Sequence, residues 1–215
     1  MHTNNIELEI NTEYTKDDVF NEMEKHLLHD EEPSKYFNSI AELPIFQEYP
    51  FQLLYKLKEA EQSPKYHPEG NVWNHTMLVV DNAAKRKTKS IDERVFMWAA
   101  LLHDIGKPDT TKNRKGKITS YDHEKLGAKL AEDFLREFMS DDKFIEEVKV
   151  LVRWHMQILH VVKDLPFADI KNMKQQANIF EVALLGLCDR LGRLNVNVRE
   201  EENNIAVFIK KCNNE

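Results

Sequence analysis

Four polar side chains stand where helical spacing would place apolar residues. His103 continues a row with Phe96 and Ala99, at the spacing of a core-facing helix. His75, His155 and Asp189 interrupt other apolar rows in the same way. A single histidine in such a row is more often an ordinary core residue. An unpaired carboxylate in a core costs several kcal/mol, however, and several imidazoles beside it indicate a bound divalent metal ion.

The dipeptide His-Asp occurs twice, each time at the end of the same string. Residues 27–30 and residues 101–104 both read Leu-Leu-His-Asp. The first copy is followed by Glu-Glu-Pro, an acidic helix end that would repel a phosphate. The second is followed by Ile-Gly-Lys-Pro, which ends a helix and places Lys107 beside the carboxylate. We therefore predict that His103-Asp104 is the functional pair and that His29-Asp30 is a surface coincidence.

The elements that must position these residues are helices. Glycine and proline are few and no repeat is visible, so the sequence predicts an all-α fold. Thr15 and Asp18 form the pattern of a capping box before a helix over residues 19–29. Prolines then punctuate shorter helices up to residue 70. Longer helices are predicted at 72–87, 92–105, 122–139, 142–158, 168–175, 178–194 and 199–212.

Two regions are expected from this pattern, packed as one unit because no flexible linker separates them. Residues 1–70 form the proline-punctuated helical region, and residues 71–215 form the larger helical bundle. Composition does not indicate the oligomeric state, and a homo-oligomer is compatible with it.

Charge and composition exclude several classes of function. A net charge of −7 and a pI of about 5.8 argue against a surface for long nucleic acids, although a small phosphorylated ligand needs only a local cationic pocket. The basic stretch at residues 85–89 is short and predicts a solvated face. No signal peptide is expected in residues 1–10, and no apolar run is long enough to span a membrane. With only two cysteines, Cys188 and Cys212, a reducing cytoplasmic location is predicted.

The order of these residues resembles the HD superfamily of metal-dependent phosphohydrolases. Residues 101–107 are close to that family's most recognisable string. Residues 67–77, 122–128 and 188–193 are similar to the HD domain of bacterial tRNA CCA-adding enzymes, and the resemblance extends over residues 15–195. No paired-aspartate nucleotidyltransferase motif occurs in the sequence, so CCA addition is not expected. The matching positions in order are His75, His103, Asp104, His123, His155 and Asp189.

The resemblance implies a helical HD-domain bundle that holds one or two divalent ions. One ion would lie among His75, His103, Asp104 and Asp189. His123 and His155 would complete a second site with Asp104 as a bridge, or one of them would protonate the leaving group. The mixed nitrogen and oxygen ligands suit Mn, Fe, Co, Ni or Zn, and also Mg. Asp104, Lys107, His123 and His155 are the expected catalytic residues.

The expected reaction is attack of metal-activated water on phosphorus in a small phosphoester, with a nucleotide as the expected substrate. A phosphomonoester, a 2′-phosphate or a 2′,3′-cyclic phosphate would fit this class. The alternatives are hydrolysis of dinucleoside polyphosphates or alarmone nucleotides, and a non-catalytic module in which metal organises a nucleotide pocket.

Three basic residues are predicted to bind the substrate phosphate. They are Lys107, Arg190 and Arg193, and each has a structural alternative: Lys107 could balance a helix dipole, and either arginine could pair with acidic surface groups. His67 and His160 lie near the motif segments and are interpreted as packing or rim residues.

Overall fold

The computed structural model describes residues 15–214, so the prediction about a signal in residues 1–10 lies outside the described range. The described part is predominantly helical, which confirms the all-α prediction. The first helices are α1 (Lys16–His29), α2 (Ser34–Ile40), α3 (Gln52–Tyr55), α4 (Val72–Ala84), α5 (Glu93–Leu102) and α6 (Lys107–Thr110). They are followed by α7 (His123–Arg136), α8 (Asp142–Trp154), α9 (Gln157–Val162), α10 (Ile170–Gln176), α11 (Ile179–Leu191) and α12 (Val198–Asn214). Three short 3₁₀ turns span Pro44–Gln47, Lys56–Lys58 and Lys87–Lys89.

Helix α1 begins with the predicted capping box. The Thr15 hydroxyl accepts from the Asp18 backbone N–H at 3.2 Å, and the Asp18 carboxylate accepts from the Thr15 N–H at 2.9 Å. Such a box satisfies two N–H groups that a helix start otherwise leaves unpaired. The fixed start sets which face of α1 turns inward.

Helix α5 lies at the centre of the bundle. It contacts α1, α4, α8 and α11, and every residue from Val95 to Leu102 is buried. The Phe20 ring of α1 stacks on Trp98 of α5 with centroids 4.7 Å apart. The N-terminal helices and the later helices thus share one hydrophobic core. The division into regions at residue 70 stays a prediction.

Five predicted helices end three or four residues earlier than expected, and two of these ends lie at candidate site residues. The helix predicted over 92–105 stops at Leu102, and His103 is its C-cap. The helix predicted over 142–158 breaks after Trp154, and α9 starts at Gln157. His103 and His155 therefore leave their helices in tight turns. Apolar periodicity continues across both turns, which is why the sequence pattern did not show the breaks.

A short antiparallel hairpin was not predicted. Strand β1 (Lys112–Arg114) pairs with β2 (Lys117–Thr119), and Gly116 occupies the turn with a φ of +80°. The strands are polar and mostly exposed, so they carry no alternating apolar pattern from which a strand would be predicted.

Within residues 15–214, no helix combines the length and the apolar character needed to cross a membrane.

Candidate metal centre

The six predicted ligand residues lie in five helices or in the turns directly after them, and they meet in the interior. His75 lies in the first turns of α4, and Asp189 lies near the end of α11. The other four lie at helix ends, where the chain changes direction. All six side chains are buried: His75, His103, Asp104, His123, His155 and Asp189.

A close backbone approach brings the start of α7 to the His-Asp turn. Gly106 follows this turn, and a Cβ atom there would lie 2.2 Å from the His123 carbonyl oxygen and 2.6 Å from the Gly127 nitrogen. Only glycine allows the two backbones to pack this closely. Asp122, with a φ of +61°, turns the chain directly into His123. The glycine therefore positions His123 beside Asp104.

Three of the histidines are oriented by nearby backbone carbonyl groups. The Nδ1 atoms of His103, His123 and His155 lie 2.8, 2.7 and 2.7 Å from the backbone carbonyl oxygen three residues earlier. A carbonyl only accepts hydrogen bonds, so each Nδ1 carries the proton in the neutral ring. Each Nε2 is left with a lone pair, which is the state of a histidine that ligates a metal.

His75 is oriented by acidic and carbonyl oxygens. Its Nδ1 lies 3.0 Å from Glu69 Oε1 and 3.3 Å from the Gly192 carbonyl oxygen. Its Nε2 lies 2.9 Å from Asp189 Oδ1. Burial opposes a charge on this ring, but the hydrogen bonds to Asp189 and Glu69 raise the pKa of His75. A metal ion at Nε2 would displace a proton held there.

The ligand atoms of the six residues form two groups, and the Asp104 carboxylate lies between them. One group contains His75, His103 and Asp189, and the other contains Asp104, His123 and His155; within each group the ligand atoms lie within 4.8 Å of one another. Asp104 Oδ2 faces the first group, 3.2 Å from His103 Nε2. Asp104 Oδ1 faces the second, 3.3 Å from His123 Nε2. The carboxylate thus offers one oxygen to each group.

Two buried atoms in this centre lack a hydrogen-bond partner: His103 Nε2 and Asp104 Oδ2. Asp104 Oδ2 lies 2.6 Å from Lys107 Nζ as well as 3.2 Å from His103 Nε2, but neither contact has hydrogen-bond angles. Buried polar atoms without partners are costly and rare in folded proteins. A cation between these atoms would satisfy both, so the residues fit a divalent metal ion.

The charges of the centre also suit a cation. Burial opposes ionisation of Asp104, but the neighbouring His103 and Lys107 hold the pKa of its carboxyl well below the ordinary value. The pKa of Asp189 is likewise held well below its ordinary value, against burial, by its hydrogen bond to His75 and by Arg193. Burial and the charges of neighbouring histidines lower the pKa of His155 to about 3. Ionised carboxylates and a neutral imidazole are the forms that bind metal.

A cavity of about 1090 Å³ opens beside the centre. Asp104, His123, His155 and Asp189 line its floor, whereas His75 and His103 lie behind them in the core. A volume of this size accommodates a ligand of nucleotide size. Ligand entering the cavity would meet the second metal group first.

The structure brings two of the three predicted phosphate-binding residues to this cavity. Lys107 lies in its wall and donates to Gln62 Oε1 at 2.8 Å. It starts the short helix α6, five residues after α5 ends at Leu102. Arg193 also lines the cavity, 4.0 Å from Asp189 Oδ1, and its buried Nε has no hydrogen-bond partner.

Arg190 lies elsewhere. Its guanidinium pairs with Glu201 of α12, with Nη2 donating to Oε1 at 3.1 Å, and it does not line the cavity. This is the alternative in which the arginine pairs with an acidic surface group. Lys107 and Arg193 remain as candidates for the substrate phosphate.

Glu69 is a site residue that the sequence did not indicate. Its Oε1 lies between two histidines, 3.0 Å from His75 Nδ1 and 2.8 Å from His67 Nδ1. It is buried, and although burial opposes its charge, the hydrogen bond to His75 lowers the pKa of Glu69 to about 2. Glu69 stands in a turn before α4, outside any helical row. Its place in the segment 67–77, which resembles the HD domain of CCA-adding enzymes, was the only signal.

The two histidines interpreted as packing or rim residues both line the cavity. His67 is held by Glu69, and burial together with Lys107 lowers the pKa of His67 to about 4. His160 lies near Phe167, with ring centroids 5.6 Å apart.

A helical bundle whose buried imidazoles and carboxylates lie close enough together to ligate a cation belongs to the class of helical metal-binding domains. Comparison with known families identifies the member of that class: the HD domain family matches residues 72–194. This match covers more than half of the chain, and the chain belongs to the HD domain family. The family supports a metal-dependent hydrolase activity in general, with a divalent metal ion as cofactor.

Among curated proteins, the chain is similar to several that are named multifunctional CCA protein. That of Pasteurella multocida (strain Pm70) is 35% identical over 114 residues, which are 53% of this chain and 26% of the relative. That of Methylococcus capsulatus is 26% identical over 184 residues, which are 84% of this chain and 36% of the relative. The chain thus spans about a quarter to a third of the length of these relatives. The similarity agrees with the predicted resemblance to the HD domain of CCA-adding enzymes.

Proposed function

We propose that the chain is a phosphohydrolase that uses two divalent ions to cleave a small phosphoester, with a nucleotide as substrate. The observation that carries the proposal is the position of Asp104. Its two oxygens face two separate groups of ligand atoms, and each group contributes two histidine nitrogens. A carboxylate shared in this way is suited to hold two ions side by side.

His123 and His155 are better suited to hold an ion than to protonate a leaving group. Their Nε2 atoms lie 3.3 Å apart, and both Nδ1 protons are committed to backbone carbonyls. In the neutral rings, the nitrogens that face the cavity carry lone pairs and have no proton to donate. This geometry favours the two-ion alternative.

The remaining residues of the centre bind and orient the substrate. Lys107 Nζ and the Arg193 guanidinium lie on the cavity wall, where both can donate to phosphate oxygens. Divalent ions, when bound, polarise the phosphoryl group and make a water molecule more acidic. Asp104 keeps Lys107 in place through their 2.6 Å contact.

The choice among phosphoesters rests on the relatives and on the cavity. The relatives are named for CCA, which favours a nucleotide as the substrate, and a nucleotide phosphomonoester, 2′-phosphate or 2′,3′-cyclic phosphate would carry the single phosphoryl group that the centre can bind. Among the described residues, Lys107 and Arg193 are the only two cationic side chains that lie at the metal centre and are not paired with a carboxylate outside that centre. Two cations are few for a polyphosphate chain, which argues against dinucleoside polyphosphates and alarmones.

The test is hydrolysis by metal-depleted protein to which Mn²⁺, Ni²⁺ or Co²⁺ is returned. We expect release of p-nitrophenol from bis(p-nitrophenyl) phosphate or p-nitrophenyl phosphate, suppressed by a chelator and restored by the metal. A nucleotide panel with product analysis then separates mononucleotides from polyphosphates. Metal binding without turnover of any of these compounds would instead support the non-catalytic module.

A further inference from the structure

Three exposed aromatic side chains surround the mouth of the cavity. Among residues 15–214, five aromatic side chains are exposed, and Tyr66, Tyr121 and Phe167 are the three that line the cavity. Their exposed fractions are 59%, 61% and 58%. Large aromatic rings kept in water around one opening are typical of a binding surface.

The three rings come from segments that are far apart in the sequence. Tyr66 lies in the segment between the Lys56–Lys58 turn and α4, and Tyr121 precedes the first residues of α7. Phe167 lies between α9 and α10. Only the fold brings them to one opening, and no helical or strand pattern of the sequence accounts for them.

The segments that carry Phe167 and Tyr121 are fixed locally. Gln157, a buried residue on α9, donates to the Phe167 carbonyl oxygen at 3.2 Å and accepts from the Asp169 N–H at 2.9 Å. Both ends of the short segment 167–169 are therefore fixed. Tyr121 stands directly before Asp122, whose left-handed φ of +61° sets the chain's entry into α7. The backbone segments that carry Phe167 and Tyr121 are thus fixed by the fold.

Charges at the mouth are paired with one another. Lys125 Nζ lies 2.6 Å from Asp122, and Arg153 lies 3.7 Å from Glu124. These outer pairs leave little net charge to attract a second phosphate. Beyond the metal centre, Lys107 and Arg193, the cavity therefore offers aromatic faces more than cations.

We propose that Tyr66, Tyr121 and Phe167 form a base-stacking rim, so that the ligand carries one phosphoryl group and one aromatic base. This inference rests on the proposed function, which places the phosphoryl group of the ligand at the metal centre, and it adds a position for the base. Stacking suits such a rim because every nucleobase offers an aromatic face, and the ligand needs no particular hydrogen-bond pattern. The rim makes nucleotides bind more tightly than sugar phosphates that lack a base.

The test compares two ligands that differ only in the base: adenosine 5′-monophosphate and ribose 5-phosphate. Each is titrated calorimetrically into Mn²⁺-loaded protein, and the recovered ligand is analysed for hydrolysis. We expect the nucleotide to bind at least about 5-fold more tightly. Tyr121→Ala and Phe167→Ala should weaken nucleotide binding by about 5- to 150-fold, the range for loss of one stacking ring, and leave ribose 5-phosphate unchanged.

Phe180 provides the matched control, since it is also 58% exposed but lies outside the cavity. Phe180→Ala should change neither affinity, and Tyr121→Phe should retain nucleotide binding. Equal affinity of the wild-type protein for both ligands would overturn the rim, as would equal weakening of both ligands by the alanine variants or failure of the nucleotide to bind at millimolar concentration. Hydrolysis is read separately from the recovered ligand, so a failed rim and a failed phosphohydrolase give different results.

Discussion

The string Leu-Leu-His-Asp ends two helices of this protein, and the two copies have different surroundings. His29 is exposed at the end of α1, and Asp30 accepts from the nearby His26 ring at 2.7 Å. His103 and Asp104 are buried among four other candidate ligands. The surface position of the first copy confirms the prediction made from its acidic flank. The same four residues thus lie in a candidate metal site or in a surface pair according to the residues that come after them.

The two copies differ first in the backbone. After α1 the chain leaves Asp30 in an extended conformation, with a ψ of 148°. After α5 it stays compact, since Ile105 and Lys107 donate backbone hydrogen bonds to Leu102 and Asp104. This compact turn places Gly106 against α7 and so brings another histidine to the carboxylate. The segment after the dipeptide therefore decides whether a site forms.

The largest difference is expected when each copy is removed in turn. We expect His103→Ala with Asp104→Ala to lower phosphoester turnover by more than about 1,000-fold, because metal ions supply several kcal/mol of transition-state stabilisation. The matched variant, His29→Ala with Asp30→Ala, should keep wild-type turnover. Initial rates with Mn²⁺ measure both, and circular dichroism checks the fold. Full activity in the His103 and Asp104 variant would contradict the assignment of these two residues to the active site.

A methyl group at Gly106 tests whether the compact turn makes the difference. Gly106→Ala places a Cβ against the backbone of His123 and Gly127, so we expect a loss of about 1–3 kcal/mol in the free energy of unfolding. Turnover should fall by about 100-fold, since His123 would move relative to Asp104.

Gly116→Ala is the control for this variant. No atom lies within 4 Å of its added Cβ, and only the positive φ costs it stability, about 1 kcal/mol. Denaturant unfolding and initial rates compare the two. Equal turnover in both variants would show that the close approach at Gly106 does not matter for the site.

Histidine–carboxylate pairs near each copy allow a second comparison. Glu69 contacts His75 in the interior, whereas Asp30 contacts His26 near the surface. We expect Glu69→Gln to weaken Mn²⁺ binding by about 10- to 100-fold, the usual effect of losing the outer partner of a metal ligand. Asp30→Asn should not change it. Competition with a chromophoric chelator measures both affinities, and an unchanged affinity in Glu69→Gln would show that His75 needs no such partner.

The smallest expected effect separates two arginines near the end of α11. Arg193→Ala should raise KM by about 10-fold, because a charge-assisted hydrogen bond to the substrate phosphate is lost. Arg190→Ala should leave KM unchanged, since Arg190 pairs with Glu201 outside the cavity. Steady-state kinetics with a nucleotide substrate gives both values. A raised KM in Arg190→Ala alone would reverse the assignment.

Arg190→Ala also has an expected effect on stability that depends on pH. Burial opposes the charge on Glu201, but its hydrogen bond with Arg190 lowers the pKa of that carboxyl below 4.5. Because the pKa of Glu201 is lower in the folded state than in the unfolded state, the ionised carboxylate stabilises the fold at pH values above the unfolded-state pKa. This contribution is lost as the pH falls through the folded-state pKa. The difference in stability between Arg190→Ala and wild type should therefore be present at neutral pH and shrink in acid.

Helix positions were largely predictable because apolar spacing and caps are local signals. The capping box at Thr15 and the inward position of His103 both follow from neighbouring residues. The turns after Leu102 and Trp154 were not predictable, since the apolar rows continue through them. Glu69 contacts His75 six residues later, and Arg190 contacts Glu201 eleven residues later. Both contacts cross a turn or a helix boundary, so no periodic pattern indicates them.

Metal binding by the two double variants tests the central claim most directly. Equilibrium dialysis of Mn²⁺ against wild-type protein should give two ions per chain, and His29→Ala with Asp30→Ala should give the same number. His103→Ala with Asp104→Ala should lose both ions, because Asp104 faces both groups of ligands. Unchanged Mn²⁺ binding in that last variant would contradict the account.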